Sequence, residues 1–188
     1  QLPAGFKLLW DNLNNPEAYP FLAYAQSRNF TLDDIYYHTI GYVVDSTIPL
    51  ANGKSIHLTN HLIFITHGDD GQMHSWNTRA IGESYIKAFN APSRENEYSK
   101  RNTVFNLNVA KKTPCIVINE GVPDALTVGA SGVGTFGKQV TDEQVKLIVK
   151  DLSPEQKIYI FLDTDAKDEI KKLAEKMYPL HEETYIVL

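Results

Sequence analysis

The sequence predicts an α/β protein in two parts. An α+β N-terminal lobe with a β-hairpin covers residues 1–112, and an α/β lobe with a mainly parallel sheet covers residues 113–188. Three observations lead there. Two β-rich runs, 62–66 and 72–76, flank the loop His67-Gly68-Asp69-Asp70-Gly71, which is the pattern of a hairpin. From Cys115 onward, short β-branched runs alternate with helical patterns about every twenty residues, as parallel strands joined by crossover helices require. Finally, 188 residues with 43% hydrophobic and 22% charged positions are enough to bury a real core.

Each element has a local justification. Asn15-Pro16-Glu17 places a cap and a first-turn proline ahead of an apolar face made by Phe21, Leu22, Tyr24 and Ala25, predicting a helix. Thr31, with Asp34 three residues on, has the spacing of a capping box and starts a second short helix. Gly41-Tyr42-Val43-Val44 turns to extended chain, and the hairpin follows. The polar, basic stretch 82–101 follows neither period and reads as loop, while 103–110 reads as a short helix. The run 115–118 reads as a strand buried on both faces. Pro123 suits the first turn of the next helix, and 132–137 suggests a second short strand. Thr141-Asp142-Glu143-Gln144 caps a helix carrying Val145, Ile148 and Val149. A third buried strand at 158–162, a charged amphipathic helix at 166–177 and a last strand at 185–188 complete the order.

Composition excludes several classes. No apolar run approaches the ~20 residues of a membrane-crossing helix. Cys115 is the one cysteine, so neither a disulfide framework nor a multi-thiolate zinc ribbon forms within this chain. No phosphate-binding Gly-x-x-x-x-Gly-Lys-[Ser/Thr] loop occurs. The start, Gln1-Leu2-Pro3, has neither an initiator Met nor a signal-peptide pattern and reads as a fragment cut from a longer protein. The net charge of −5 is unevenly spread. Residues 79–112 hold seven bases (Arg79, Lys87, Arg94, Lys100, Arg101, Lys111, Lys112) against three acids (Glu83, Glu95, Glu97), leaving eleven bases against twenty acids elsewhere. Such a segment makes a local phosphate-binding surface in an otherwise acidic protein, or simply an ordinary solvated face.

In an open parallel sheet, ligands bind beyond the carboxyl ends of the strands. Glu120 follows the first strand of the second part, and Asp163 and Asp165 follow the third, so the three converge if those strands are neighbours. Converging carboxylates raise one another's pKa unless a cation sits among them, and the natural occupant is a hard divalent ion, Mg²⁺ or Mn²⁺. An Asp at a strand–helix junction is also a plain cap, a reading open to Asp124 and Asp165. The specific signal is the pairing of Glu120-Gly121-x-x-Asp124-Ala125-Leu126 after one strand with Asp163-x-Asp165-Ala166 after another.

On these residues, together with Gly137, the stretch 115–188 resembles the Toprim domain, the metal-binding α/β module of bacterial and phage primases, type IA and type II topoisomerases and some nucleases. The N-terminal part narrows the choice. Tyr24-Ala25-x-x-Arg28, Thr31-x-x-Asp34-Ile35 and Gly41-Tyr42 look like the opening of the primase catalytic core. The hairpin with Asp70-Gly71, then Trp76 and Arg79, is similar to the primase strand pair that ends in Gly-Arg. Residues 84–93 resemble the basic motif Lys-Tyr-x-Asn-Ser-Pro, although here Tyr85 precedes Lys87. Lys100-x-x-x-Val104-Phe105-Asn106-Leu107 takes the place of the following Lys-x-x-x-Leu-Tyr-x-Leu. A second departure is the missing glycine after Asp-x-Asp-x-Ala, where Lys167 and Asp168 stand instead. From about Ala18 to the end, the chain resembles the RNA-polymerase core of bacterial and phage DNA primases, with the phage branch nearer.

The resemblance implies template-directed synthesis of short RNA primers, with a Toprim nuclease and a non-catalytic replication adaptor as alternatives. It implies Glu120, Asp163 and Asp165 as the catalytic, metal-holding residues, supported by Gly121, Asp124 and Gly137. Arg79, Lys87, Lys100 and Arg101 would line a groove between the lobes and contact template or nucleotide phosphates. Also implied are Mg²⁺ or Mn²⁺ as cofactor, and single-stranded DNA and ribonucleoside triphosphates as partners. A replicative helicase would be reached through regions outside this chain; no membrane partner is implied, and the setting is the cytoplasm of a bacterial or phage-infected cell. Other residues read more plainly. His57, His61, His67 and His74 crowd one stretch but lack acidic or thiol partners in ligand spacing, so they read as hairpin and loop histidines. Cys115 reads as inert packing. Trp76 and Tyr85 read as core or as stacking platforms for bases, and the glycines of 132–137 as allowing close approach.

Overall fold

The computed structural model describes all residues, 1–188. Five strands form one sheet in the order β1 (Lys7–Leu8), β2 (Gly41–Pro49), β3 (Ser55–His67), β4 (Met73–Ala80) and β5 (Ala88–Asn90). β1 and β2, β2 and β3, and β4 and β5 pair antiparallel. A separate sheet contains β6 (Cys115–Asn119), β7 (Gly132–Gly134), β8 (Lys157–Ile160) and β9 (Thr184–Ile186) in the order β7-β6-β8-β9, with every neighbouring pair parallel. The chain divides into two compact units, Gln1–Ile65 with Ser75–Glu97, and Thr66–His74 with Tyr98–Leu188.

In the first unit, Asn15 Oδ1 accepts the Glu17 N–H at 3.1 Å and caps a 3₁₀ turn over Pro16–Ala18. The α-helix α1 (Tyr19–Ser27) therefore starts later than Pro16 suggests, with Pro20 in its own first turn. Phe21 and Ala25 are its buried face. The capping box of α2 (Leu32–Tyr37) forms as predicted: Thr31 Oγ1 accepts the Asp34 N–H at 3.0 Å, and Asp34 Oδ2 accepts the Thr31 N–H at 2.8 Å. β3 extends well before the apolar run at 62–66, because pairing with β2 holds its polar half extended. β5 lies inside the stretch read as loop. Three residues carry no period of their own, and it is the register Asn77↔Asn90, Thr78↔Phe89, Arg79↔Ala88 with β4 that makes them a strand. Val43, Ile48, Leu58, Ile63 and Trp76 form a core cluster here. The Trp76 indole N–H is satisfied by the Gln1 carbonyl at 2.9 Å, so this aromatic is core.

In the second unit, residues 103–105 are not helical. Phe105 exchanges two backbone bonds with Gly134, Asn106 takes a left-handed φ of 62°, and α3 begins only at Leu107 (Leu107–Ala110). The second unit's core gathers Ile116 and Ile118 of β6 with Val133, Ile158 and Ile160 from the neighbouring strands. Helices α4 (Val122–Val128), α5 (Asp142–Val149) and α6 (Lys167–Met177) complete it. β6 is not buried equally on both faces, since Cys115 and Val117 are only half-buried. β7 ends at Gly134, and beyond it Phe136 and Gly137 adopt φ of 62° and 142° as the chain turns away. A Cβ on Gly132 would lie 2.2 Å from the Ala125 carbonyl oxygen, so α4 packs directly against β7 only because that residue has no side chain.

Candidate metal centre

β6 and β8 are the central, adjacent strands of the parallel sheet, paired Ile116↔Ile158, Val117↔Tyr159 and Ile118↔Ile160. Their carboxyl ends therefore lie side by side. Glu120 stands one residue past β6, and Asp163 and Asp165 lie in the loop between β8 and α6. One carboxylate oxygen from each of the three lies within 4.8 Å of the other two. The Asp163 N–H donates to Glu120 Oε1 at 3.3 Å, tying one strand end to the other.

Backbone contacts hold Glu120 in place. The Gly137 N–H donates to the Glu120 carbonyl at 3.0 Å. The Thr135 N–H and hydroxyl each donate to the Asn119 carbonyl at 3.1 Å. The buried Asn119 side chain donates to the Val117 carbonyl at 3.0 Å. Gly137 makes its bond at φ 142°, a region that side-chain-bearing residues rarely enter. Gly121 caps α4 with its backbone, and a Cβ there would lie 3.2 Å from Asp124 Oδ2. Asp124 thus stands over the start of α4, apart from the three clustered carboxylates. α6 starts after Ala166, which contributes no side-chain cap, and the Ala166 N–H closes the preceding turn on the Asp163 carbonyl at 2.9 Å.

The electrostatics follow from this geometry. Burial pushes the Glu120 carboxyl pKa up, the Asp163 charge adds to the rise and Asp165 adds less, while the Asp163 N–H and the Lys138 charge pull it part of the way back. A cluster of carboxylates with two of its three members exposed suits a hard divalent cation that keeps several waters. Lys138, next to Gly137, is a neighbouring charge that the sequence did not single out. Its only signal was a lysine directly after a glycine-rich strand end.

The basic residues fall into two pairs, one in each unit. Arg79 in β4 sits opposite Ala88 in β5, and the Ala80 N–H donates to the Lys87 carbonyl at 2.9 Å, so Arg79 and Lys87 belong to one two-stranded ladder. Lys100 and Arg101 expose their side chains, while their carbonyls accept from Gln144 Nε2 at 2.9 Å and from Thr141 Oγ1. Tyr85 is fully exposed.

The four histidines stay separate. His57 Nε2 meets Asp45 Oδ2 at 3.2 Å on the strand surface. His61 is buried with Nδ1 2.8 Å from Thr78 Oγ1, and burial lowers its pKa. Burial also lowers the pKa of His67, with the His74 charge adding to the effect. His74 stacks on Tyr98 with ring centroids 3.7 Å apart and lies 3.4 Å from Asp70 Oδ1. Cys115 is half-buried at the start of β6.

No known family's sequence profile matches the chain, and no characterised protein's sequence matches it either. Solved structures do. The DnaG catalytic core superposes with a TM-score of 0.75 at 15% identity, over 90% of this chain and 64% of that one. The Aquifex aeolicus primase, with zinc-binding and RNA polymerase domains, gives 0.73 at 20% identity over 95% of this chain and 52% of its own length. The RNA polymerase domain of Mycobacterium tuberculosis DnaG gives 0.72 at 15% identity, over 95% and 71% respectively. The chain thus spans less than two thirds of the first two structures. With its antiparallel sheet and its separate parallel sheet, it has the fold of the DnaG primase catalytic cores.

Proposed function

We propose that this chain is the catalytic core of a DNA primase, making short RNA primers on single-stranded DNA from ribonucleoside triphosphates. The carrying observation is the convergence of Glu120, Asp163 and Asp165 at the carboxyl ends of two adjacent parallel strands, on the fold of primase cores. Support for DNA as a ligand comes from similar structures: a DnaG primase catalytic domain bound to single-stranded DNA, and the Mycobacterium tuberculosis domain in complex with double-stranded DNA.

Glu120, Asp163 and Asp165 would hold Mg²⁺ or Mn²⁺. When bound, such an ion neutralises triphosphate charge and stabilises the charge that develops on the transferred phosphoryl group. Gly137 and Gly121 set the backbone on either side of Glu120, and Asp124 shapes the site from the start of α4. Lys138, whose ammonium lies 3.8 Å from Glu169 Oε1, adds positive charge near Glu120 and would meet triphosphate oxygens. Arg79 and Lys87 in one unit, and Lys100 and Arg101 in the other, bind template or nucleotide phosphates. A replicative helicase is a further proposed partner, in the cytoplasm of a bacterial or phage-infected cell.

The test is primer extension with single-stranded DNA, labelled ribonucleotides, Mg²⁺ or Mn²⁺ and a supplied ribodinucleotide, run beside Asp163→Ala. Template-dependent RNA that falls by about 10²-fold or more in the variant is expected, the scale of losing one electrostatic stabiliser of a transition state. Template cut in an Asp163-dependent way, without RNA, would assign a nuclease instead. Partner binding that survives Asp163→Ala, with neither product, would assign an adaptor.

A further inference from the structure

Gln144 is the third residue of α5 and is fully buried, and both ends of its carboxamide are engaged. Oε1 accepts the Thr141 N–H at 3.0 Å, and Thr141 Oγ1 accepts the Gln144 N–H at 3.1 Å. That much is an ordinary capping box, and a glutamate would complete it equally well. The other end is not ordinary. Nε2 lies 2.9 Å from the Lys100 carbonyl and 3.0 Å from the carbonyls of both Thr103 and Thr135. Three acceptors surround a group with two hydrogens, an environment that suits an amide and opposes a carboxylate.

These carbonyls belong to segments far apart in sequence. Lys100 and Thr103 bracket Arg101, whose own carbonyl accepts from Thr141 Oγ1, so the start of α5 grips both basic residues by their backbones. Thr135 leads the other way. Its N–H donates to the Asn119 carbonyl at 3.1 Å, its hydroxyl shares one hydrogen between the Asn119 and Gly137 carbonyls at 3.1 and 3.0 Å, and the Gly137 N–H donates to the Glu120 carbonyl at 3.0 Å. An unbroken run of buried and half-buried hydrogen bonds therefore connects the backbone of Lys100 to that of Glu120, with Gln144 at its centre.

We propose that Gln144 is a positioning residue that fixes the segment of Lys100 and Arg101 relative to the segment of Glu120, so that phosphate binding at the first and divalent-cation binding at the second are energetically coupled. The proposal rests on the reading of the carboxylates as a cation site and of Lys100 and Arg101 as phosphate contacts. Gln144 touches neither ligand, and its effect passes through the two backbones it holds. Coupling of this kind is reciprocal: whatever the cation does for phosphate binding, phosphate does for the cation.

The test measures binding of a fluorescent oligo(dT) to the whole chain without Mn²⁺ and at Mn²⁺ concentrations shown by calorimetry to saturate each protein. Gln144→Met keeps the volume and removes the polar end. Thr135→Val leaves the carbonyl that Gln144 uses and the Thr135 N–H bond to the Asn119 carbonyl, and removes only the hydroxyl's share of the link toward Glu120. In the parent chain, Mn²⁺ is expected to tighten oligo(dT) binding about five-fold or more. Gln144→Met with a parental circular dichroism spectrum should lose most of that factor, Thr135→Val part of it, and the double variant no more than Gln144→Met alone. If Gln144→Met does not fold, Thr135→Val decides by whether it loses any of the factor. Tightening undiminished in the folded variants, or a parent that binds Mn²⁺ with no tightening at all, overturns the coupling but leaves the cation site standing. Asp163→Ala protein that still binds Mn²⁺ as the parent does overturns the underlying reading instead.

Discussion

Burial and two neighbouring carboxylates push the Glu120 pKa above the ordinary glutamate range, and this has a definite sign for stability. The folded carboxyl holds its proton more tightly than the unfolded one. Stability contributed by this group is therefore greatest at low pH and falls as pH rises from the ordinary glutamate range toward the raised folded value. Above that window the ionised side chain is a standing cost to the fold. In the presence of a chelator, Glu120→Gln should melt higher than the parent near pH 7, and the difference should close below about pH 4. Divalent cation should reverse the order. A ligand at a hundred times its Kd stabilises the folded state by about 2.7 kcal/mol, and only the parent has the full carboxylate set to collect it. Differential scanning calorimetry across pH, with and without Mn²⁺, measures both effects. A variant that melts lower than the parent in chelator would show that the Glu120 charge is not destabilising.

At the level of elements, the candidate site depends on how closely α4 approaches β7. Gly132 has no room for a methyl group, since its nearest obstacle is the backbone oxygen of Ala125 rather than a movable side chain. Gly132→Ala must push α4 off the sheet, at a cost of about 1–3 kcal/mol. Gly82→Ala meets nothing within 4 Å and should stay within about 0.5 kcal/mol of the parent. Urea titration of the two variants separates a packing glycine from a tolerated one, and equal midpoints would show that α4 and β7 have slack. Both glycines look alike as letters, because what distinguishes them is an oxygen seven residues away in the chain that the fold brings into contact.

Across the whole molecule, each of the two units carries one pair of the proposed phosphate contacts while the net charge remains −5. If all four proposed contacts engage one strand, the slope of log K against log salt concentration is about −3, because each neutralised phosphate releases about 0.7 of a counterion. Replacing Arg79 and Lys87 with alanine, or Lys100 and Arg101, should each reduce that slope to about −1.5. Fluorescence anisotropy of oligo(dT) at several salt concentrations reads it directly. A slope unchanged by one of the two double substitutions would remove that unit from the binding surface.

What the sequence determined by itself is local chemistry. The capping boxes at Thr31 and Thr141 span four residues each, so their partners are always within reach and the pattern of letters suffices. The run at 115–118 and the placement of Glu120, Asp163 and Asp165 just past strands are legible for the same reason, since strand ends and helix starts announce themselves over a few positions. Tertiary structure alone decided the rest. It made β6 and β8 neighbours, which brings carboxylates 43 positions apart to within hydrogen-bonding reach of one another's segments. It turned residues 88–90 into a strand by offering them an edge to pair with. It also closed three distant carbonyls around Gln144, a residue whose local pattern promised only a helix cap. Pairing, packing and charge proximity act through space, and spacing along the chain records them only when the chain is short between the partners.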